Sequence, residues 1–197
     1  RLLKTANMRF RRILGLLEPR DIKAAYRLLN IELAHLSLLE IALSEGAAFS
    51  LILEDDGDCE DADKLARWIY DFLQRPNPSY LVNLSTSFSL RRMGIHRLVN
   101  PASSQVTGAS DELTFNKPVT NTACAIMYSS ELLKTLVPRW GDQCLIPIVP
   151  IDWRLNGILM GLYRDKLLPS GTCLVVDPGP IVQQSLHGST VRPDAPY

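Results

Sequence analysis

The sequence predicts an α/β fold, a mixed and mostly parallel sheet flanked by helices within one domain. Three observations lead there. Short apolar runs alternate along the chain with stretches of helical period. Each run ends in polar or acidic residues. Finally, 197 residues with 46% hydrophobic and 21% charged content suffice to enclose a sizeable core. In open α/β sheets ligands collect beyond the carboxyl ends of the strands, so the polar strand ends mark the edge where a site is expected.

In chain order, residues 1–6 read as the end of a helix, and Met8 to Leu14 alternates apolar and basic residues as a strand with one exposed face does. A helix opens at Asp21 with Ala24, Ala25, Leu28 and Leu29 inward. Leu33, Leu36, Leu39 or Glu40, and Leu43 continue its period to Glu45, and Gly46 stops it. His35 lies inside this helix, where a lone histidine is more often a packed core residue than a ligand or base. Ser50 to Asp56, Ser-Leu-Ile-Leu-Glu-Asp-Asp, reads as a strand buried on both faces in the middle of the sheet, tipped by three acids. The helix Ala62 to Leu73 turns Leu65, Trp68, Ile69 and Phe72 to one side and ends before Pro76 and Pro78.

Tyr80 to Leu84 is the next strand, with Asn83 near its end and hydroxyls following at Ser85, Thr86 and Ser87. Met93 to Phe115, rich in Ser, Gly, Asn and Thr, reads as a hairpin or a loop near the site. Thr122 to Tyr128 is a buried strand and Ser129 to Val137 a helix stopped before Pro138. Pro147 to Pro150 forms a rigid turn, with Asp152 opening a helix that runs to about Leu162. Lys166 to Val176 supplies a last strand, Pro178 to Pro180 a turn, Ile181 to Gln184 an extended segment, and Arg192 to Tyr197 a loose tail.

The chemistry concentrates in Glu54, Asp55 and Asp56. Three neighbouring carboxylates repel one another unless a cation or donor groups offset them. Divalent Mg2+ or Mn2+ takes one or two carboxylates, several waters and the oxygens of a substrate phosphate, and so suits a strand end of this kind. The competing reading is a solvated acidic turn in which Asp55 or Asp56 caps the next helix.

Charge and cysteine usage narrow the partners. Twenty-one basic residues balance twenty-one acidic ones, which removes any global electrostatic case for nucleic acid. Lys4, Arg9, Arg11 and Arg12 make the start basic and suit an anionic lipid surface or a phosphate, although short basic runs are more often simply solvated. Cys59, Cys124, Cys144 and Cys173 form no CxxC pair, so zinc-ribbon and thioredoxin-like readings fail. Cys124 and Cys173 read as buried thiols of a reducing cytoplasm. No stretch reaches the roughly 18 consecutive apolar residues of a bilayer span, and no signal-peptide pattern opens the chain. A dinucleotide or P-loop site has no GxGxxG or GxxxxGK loop to support it.

Glu32-Leu-Ala-His35 and the helix to Gly46, followed by Leu51-Ile-Leu-Glu-Asp-Asp56, resembles the family 25 glycosyltransferases of lipopolysaccharide-biosynthesis type. Their Cys-x-x-Ser-His helix precedes a Leu-Glu-Asp-Asp strand end. Asn121-Thr-Ala-Cys-Ala-Ile-Met-Tyr-Ser129 is similar to their Thr-x-x-Tyr-x-Ile-Ser segment and Pro150-Ile-Asp152 to their Pro-x-Asp. Pro180-Ile-Val-Gln-Gln184 with Ser189 is similar to their closing Pro-x-Val-x-Gln and serine segment. These matches fall in order between Ile31 and Ser189. The chain departs from the pattern at Ala34, where the family has serine before the histidine, and at Gly57, where an apolar residue is common after the acids. The resemblance also places an opening strand with an Arg-rich turn before Arg1.

The resemblance implies a GT-A-like fold and transfer of galactose or glucose from a UDP-sugar to a hydroxyl of a glycan or other acceptor, in the cytoplasm or at the inner face of a membrane. It makes Glu54 and Asp56 holders of Mn2+ or Mg2+. His187 joins them on the pattern of GT-A enzymes generally, since neutral imidazole suits Mn2+. Glu54, Asp55, Thr122 and Asn83 would hold the nucleotide sugar, Asp152 would act as the base or bind the acceptor, and His35 would belong to the catalytic motif. A base of this kind must come within about 2.6–3.2 Å of the acceptor hydroxyl. A second reading keeps the fold as a catalytically inactive glycan-binding or scaffolding module. A third, a metal-dependent phosphotransfer enzyme or hydrolase, has no recognisable nucleophile or phosphate loop.

Overall fold

The structure is a computed structural model that describes residues 19–85, 112–115, 122–143, 149–169 and 172–184, with 19–24, 115 and 142–143 described by backbone alone. The expected strand at Met8 to Leu14, the tail from Arg192, His187 and Cys144 lie outside the described residues. The elements run α1 (Pro19–Glu45), β1 (Phe49–Leu53), β2 (Gly57–Cys59), α2 (Ala62–Leu73), β3 (Leu81–Asn83), β4 (Glu112–Phe115), β5 (Ala125–Ser129), α3 (Ser130–Gln143), α4 (Ile151–Arg164), β6 (Cys173–Val176) and β7 (Ile181–Gln183). The described residues fall into two compact units, one drawn from those up to residue 48 and within 130–168, the other from those within 49–129 and from 169 onward.

The first unit is helical, with α1 packed against α3 and α4. The helix α1 starts at Pro19, where a missing N–H costs nothing, and ends at Gly46, whose φ of 69° is the left-handed stop the sequence predicts. Leu29, Leu36 and Leu39 of α1, Leu133, Leu136 and Trp140 of α3, and Leu155, Leu159 and Leu162 of α4 are buried. The expected stop before Pro138 is corrected: α3 runs through it to Gln143. Leu132, Leu133, Leu136 and Trp140 form one continuous inner stripe, and its burial outweighs the one backbone hydrogen bond that proline removes. None of the described helices is long and apolar enough to cross a membrane.

A five-stranded sheet in the order β1-β5-β3-β6-β4 and a two-stranded ribbon of β2 and β7 make the second unit. The α/β class is as expected, but the sheet is not mostly parallel. Among the described strands of the sheet only β3 and β6 pair in parallel, whereas β1 with β5, β5 with β3 and β4 with β6 are antiparallel. Among the described strands β1 is at the end of the order rather than central, and its last residue, Leu53, is 52% exposed. The reason is that β5 inserts between β1 and β3, antiparallel to both, although α2 connects them as a crossover helix would.

One consequence decides where a site can form. The carboxyl ends of β1, β3 and β6 and the amino ends of β4 and β5 all share one sheet edge.

The core of this unit lies between the sheet and α2. Phe72 is fully buried in one cluster with Val82, Leu84, Met127 and Leu174. Its ring stacks on Trp68 at 5.4 Å and meets Phe49 edge-on at 5.5 Å. The helix α2 has the predicted bounds, and its cap is Asp61, whose carboxylate accepts from the Lys64 N–H at 2.8 Å. Arg75, just past its end, pairs with Glu112 of β4 at 2.6 Å. The β6–β7 connection contains the cis Asp177–Pro178 bond and Gly179, where a Cβ would lie 2.4 Å from the Leu84 carbonyl oxygen. Only glycine allows β7 to leave β6 this close to the end of β3.

Candidate metal centre

The site grows from the end of β1. Glu54 extends the β1–β5 ladder by donating its N–H to the Cys124 carbonyl at 2.8 Å. A four-residue turn follows, closed by the Gly57 N–H on the Glu54 carbonyl at 3.2 Å, and the chain reverses into β2. Gly57, the departure noted in the sequence, has a structural reason. A Cβ there would lie 3.2 Å from Cys124 Sγ and 3.3 Å from the Glu54 carbonyl oxygen, so glycine leaves room for the thiol beside the turn.

The turn aims Glu54 and Asp56 toward the start of β5. Glu54, Asp56 and Cys124 each present a ligand atom within 4.8 Å of the others. Gln183, the last residue of β7, reaches the same point: its Nε2 donates to Asp56 Oδ2 at 3.1 Å and to Glu54 Oε2 at 3.5 Å. Its Oε1 accepts from Thr122 Oγ1 at 3.3 Å, and Thr122 Oγ1 in turn accepts from the Cys124 N–H at 3.2 Å. Asn83, fully buried at the end of β3, donates to the Thr122 carbonyl at 2.9 Å and accepts from the Ser85 N–H at 2.9 Å. A chain of hydrogen bonds therefore ties β3, β5 and β7 to the acids of the β1 tip.

The Cys124 thiol is held protonated. Burial raises its pKa most, the Asp56 and Glu54 carboxylates add to that, and together they push it from 9.0 up to about 12. Its Sγ lies 3.9 Å from Asp56 Oδ1. Folded-state stability tied to this proton is complete below pH 9.0 and is lost as the pH rises toward 12. Unfolding midpoints should therefore decline across that interval, and Cys124→Ser should flatten the decline. An unchanged slope in the variant would refute this assignment. The Tyr128 hydroxyl is fully buried and likewise raised well above its usual value, by burial first and then by Glu54 and Cys173.

The predicted site residues divide between the two units. Glu54, Asp56, Thr122 and Asn83 converge in the sheet unit, while Asp55 is exposed in the turn. Asp152 and His35 belong to the helical unit. Asp152 is in the first turn of α4 and accepts from the Trp153 N–H at 3.0 Å; His35 is buried on α1. The competing reading, in which Asp55 or Asp56 caps the next helix, does not hold, because β2 intervenes and Asp61 caps α2. Two participants had no role assigned from sequence. Cys124 reads there as an ordinary buried thiol, and Gln183 as one position of a matched segment.

Set against models of known protein families, curated proteins and solved structures, the chain matches none of them.

Proposed function

We propose that the protein is a metal-assisted, GT-A-like glycosyltransferase that moves a hexose from a UDP-sugar to a hydroxyl of a glycan or related acceptor. One observation carries the reading. Three of the segments that resemble family 25 glycosyltransferases supply side chains to a single point. These segments contribute Glu54 and Asp56, then Thr122 and Cys124, and finally Gln183, which touches Asp56 across 127 residues of sequence. A patchwork of chance matches has no reason to converge in this way.

The donor set fits a divalent cation. Two carboxylates approach each other at a strand end, and among the described residues the Asp56 carboxylate has as hydrogen-bond partners a thiol and an amide. Glu54 and Asp56 would hold Mn2+ or Mg2+, which would supply Lewis-acid stabilisation to a departing diphosphate. In this reading Glu54 and Asp56 fix the position of the donor's diphosphate, and Thr122 and Asn83 hold the tip of β5 in place.

Calorimetric titration of UDP into the full chain should give a saturable heat with Mn2+ present and none without it. The absence of heat at millimolar UDP and Mn2+ would overturn the proposal.

A further inference from the structure

We propose that Gln183 is a third oxygen ligand of the cation, recruited by a half-turn of its side-chain amide, and that Thr122 is the partner that satisfies the amide in both orientations. This rests on the cation-binding reading above. In the present arrangement the amide NH2 points between the two carboxylates, 3.1 Å from Asp56 Oδ2 and 3.5 Å from Glu54 Oε2. It thus places partial positive charge where a cation would carry a full one.

A half-turn about the Cγ–Cδ bond exchanges Nε2 and Oε1 within nearly the same volume. The carbonyl oxygen would then join two carboxylate oxygens around one point. Three hard oxygens leave room for the waters and phosphate oxygens that complete an octahedral Mg2+ or Mn2+ shell.

The rest of the structure permits that rotation. Thr122 Oγ1 now donates to Gln183 Oε1 at 3.3 Å, and a hydroxyl can equally accept from Nε2 after the exchange. The Gln183 backbone is pinned, because Gly57 pairs with Gln183 in the ribbon and the Gln184 N–H donates to the Asp56 carbonyl at 2.9 Å. Only the side chain has to move. Without a cation, a carbonyl facing two carboxylates is repelled; with one, it is attracted. Amide orientation and cation occupancy are therefore linked, and Gln183 acts as a two-position element governed by the ion.

The test is Mn2+ titration of the full chain by calorimetry, for the natural protein and for Gln183→Leu, Gln183→Glu and Thr122→Val. Gln183→Leu should weaken Mn2+ binding roughly tenfold. Gln183→Glu should bind at least as tightly as the natural chain, and Thr122→Val should fall between it and the leucine variant. Equal or tighter binding by Gln183→Leu would make the amide a bystander or a plug and overturn the inference, leaving the cation site standing. No Mn2+ binding by the natural chain at millimolar concentration would overturn both. Should the leucine variant not fold, the side-chain amide resonance of Gln183 in the 15N-labelled natural chain decides the matter. It should shift with Mg2+ along the binding isotherm, and a resonance that stays still while Mg2+ binds would overturn the inference.

Discussion

Asp56→Asn should abolish cation binding and turnover while leaving the chain folded. Asparagine keeps the size of the side chain and an oxygen for the Gln183 amide, now 3.1 Å away, but removes one of the two negative charges that define the site. Relief of repulsion from Glu54 means that the unfolding midpoint should hold or rise slightly. Mn2+ affinity should fall by at least the roughly 100-fold that marks the upper end of losses from outer-shell changes, since a direct ligand is lost here. Calorimetry reads the first effect and hexose transfer from a UDP-sugar the second. Unchanged Mn2+ binding in a folded variant would remove the β1 tip from any metal chemistry. Transfer lost together with metal binding separates an enzyme from an inactive glycan-binding module, whose glycan affinity would not respond.

Glu32→Ala should give the largest loss of stability in the helical unit, about 3–5 kcal/mol by chemical denaturation. Glu32 is only 3% exposed. Its Oε1 accepts from Trp140 Nε1 at 3.0 Å and lies 3.2 Å from Arg154 Nε, whose side chain is 11% exposed. Truncation deprives a buried indole of its acceptor and a buried guanidinium of its counter-charge. Glu32→Gln should cost less, because an amide oxygen still accepts from Trp140. Replacing the pair together, as Glu32→Leu with Arg154→Met, should cost less than either single truncation, since no uncompensated charge remains. A loss of under about 1 kcal/mol for Glu32→Ala would mean that the pair behaves as an exposed one.

The parts of the fold that local sequence dictates were legible. The period of Leu65, Trp68, Ile69 and Phe72, with prolines beyond, set α2 at Ala62–Leu73. Gly46 ends α1 as expected for an equally local reason, while the helix opens at Pro19, two residues before the expected Asp21. The sheet's order and direction were not legible, because five apolar residues read alike in an edge strand and a central one. The partner of β1 is β5, whose identity depends on pairing across some seventy residues. Pro138 shows the same limit in a helix, where burial of Trp140 overrides a residue that locally signals a stop. At the site, the acids were evident from their place after an apolar run. Cys124 and Gln183 were not, since only strand register brings them to Asp56.

The polypeptide passes from one unit to the other three times, near residues 48, 129 and 168. Neither unit can be obtained by trimming an end, because each is assembled from separated lengths of chain. During synthesis α1 must wait for α3 and α4, made more than eighty residues later, before it has helices to pack against. Its apolar stripe therefore emerges from the ribosome without its eventual neighbours, and a chain halted after Ser129 would expose it as a target for chaperones and proteases.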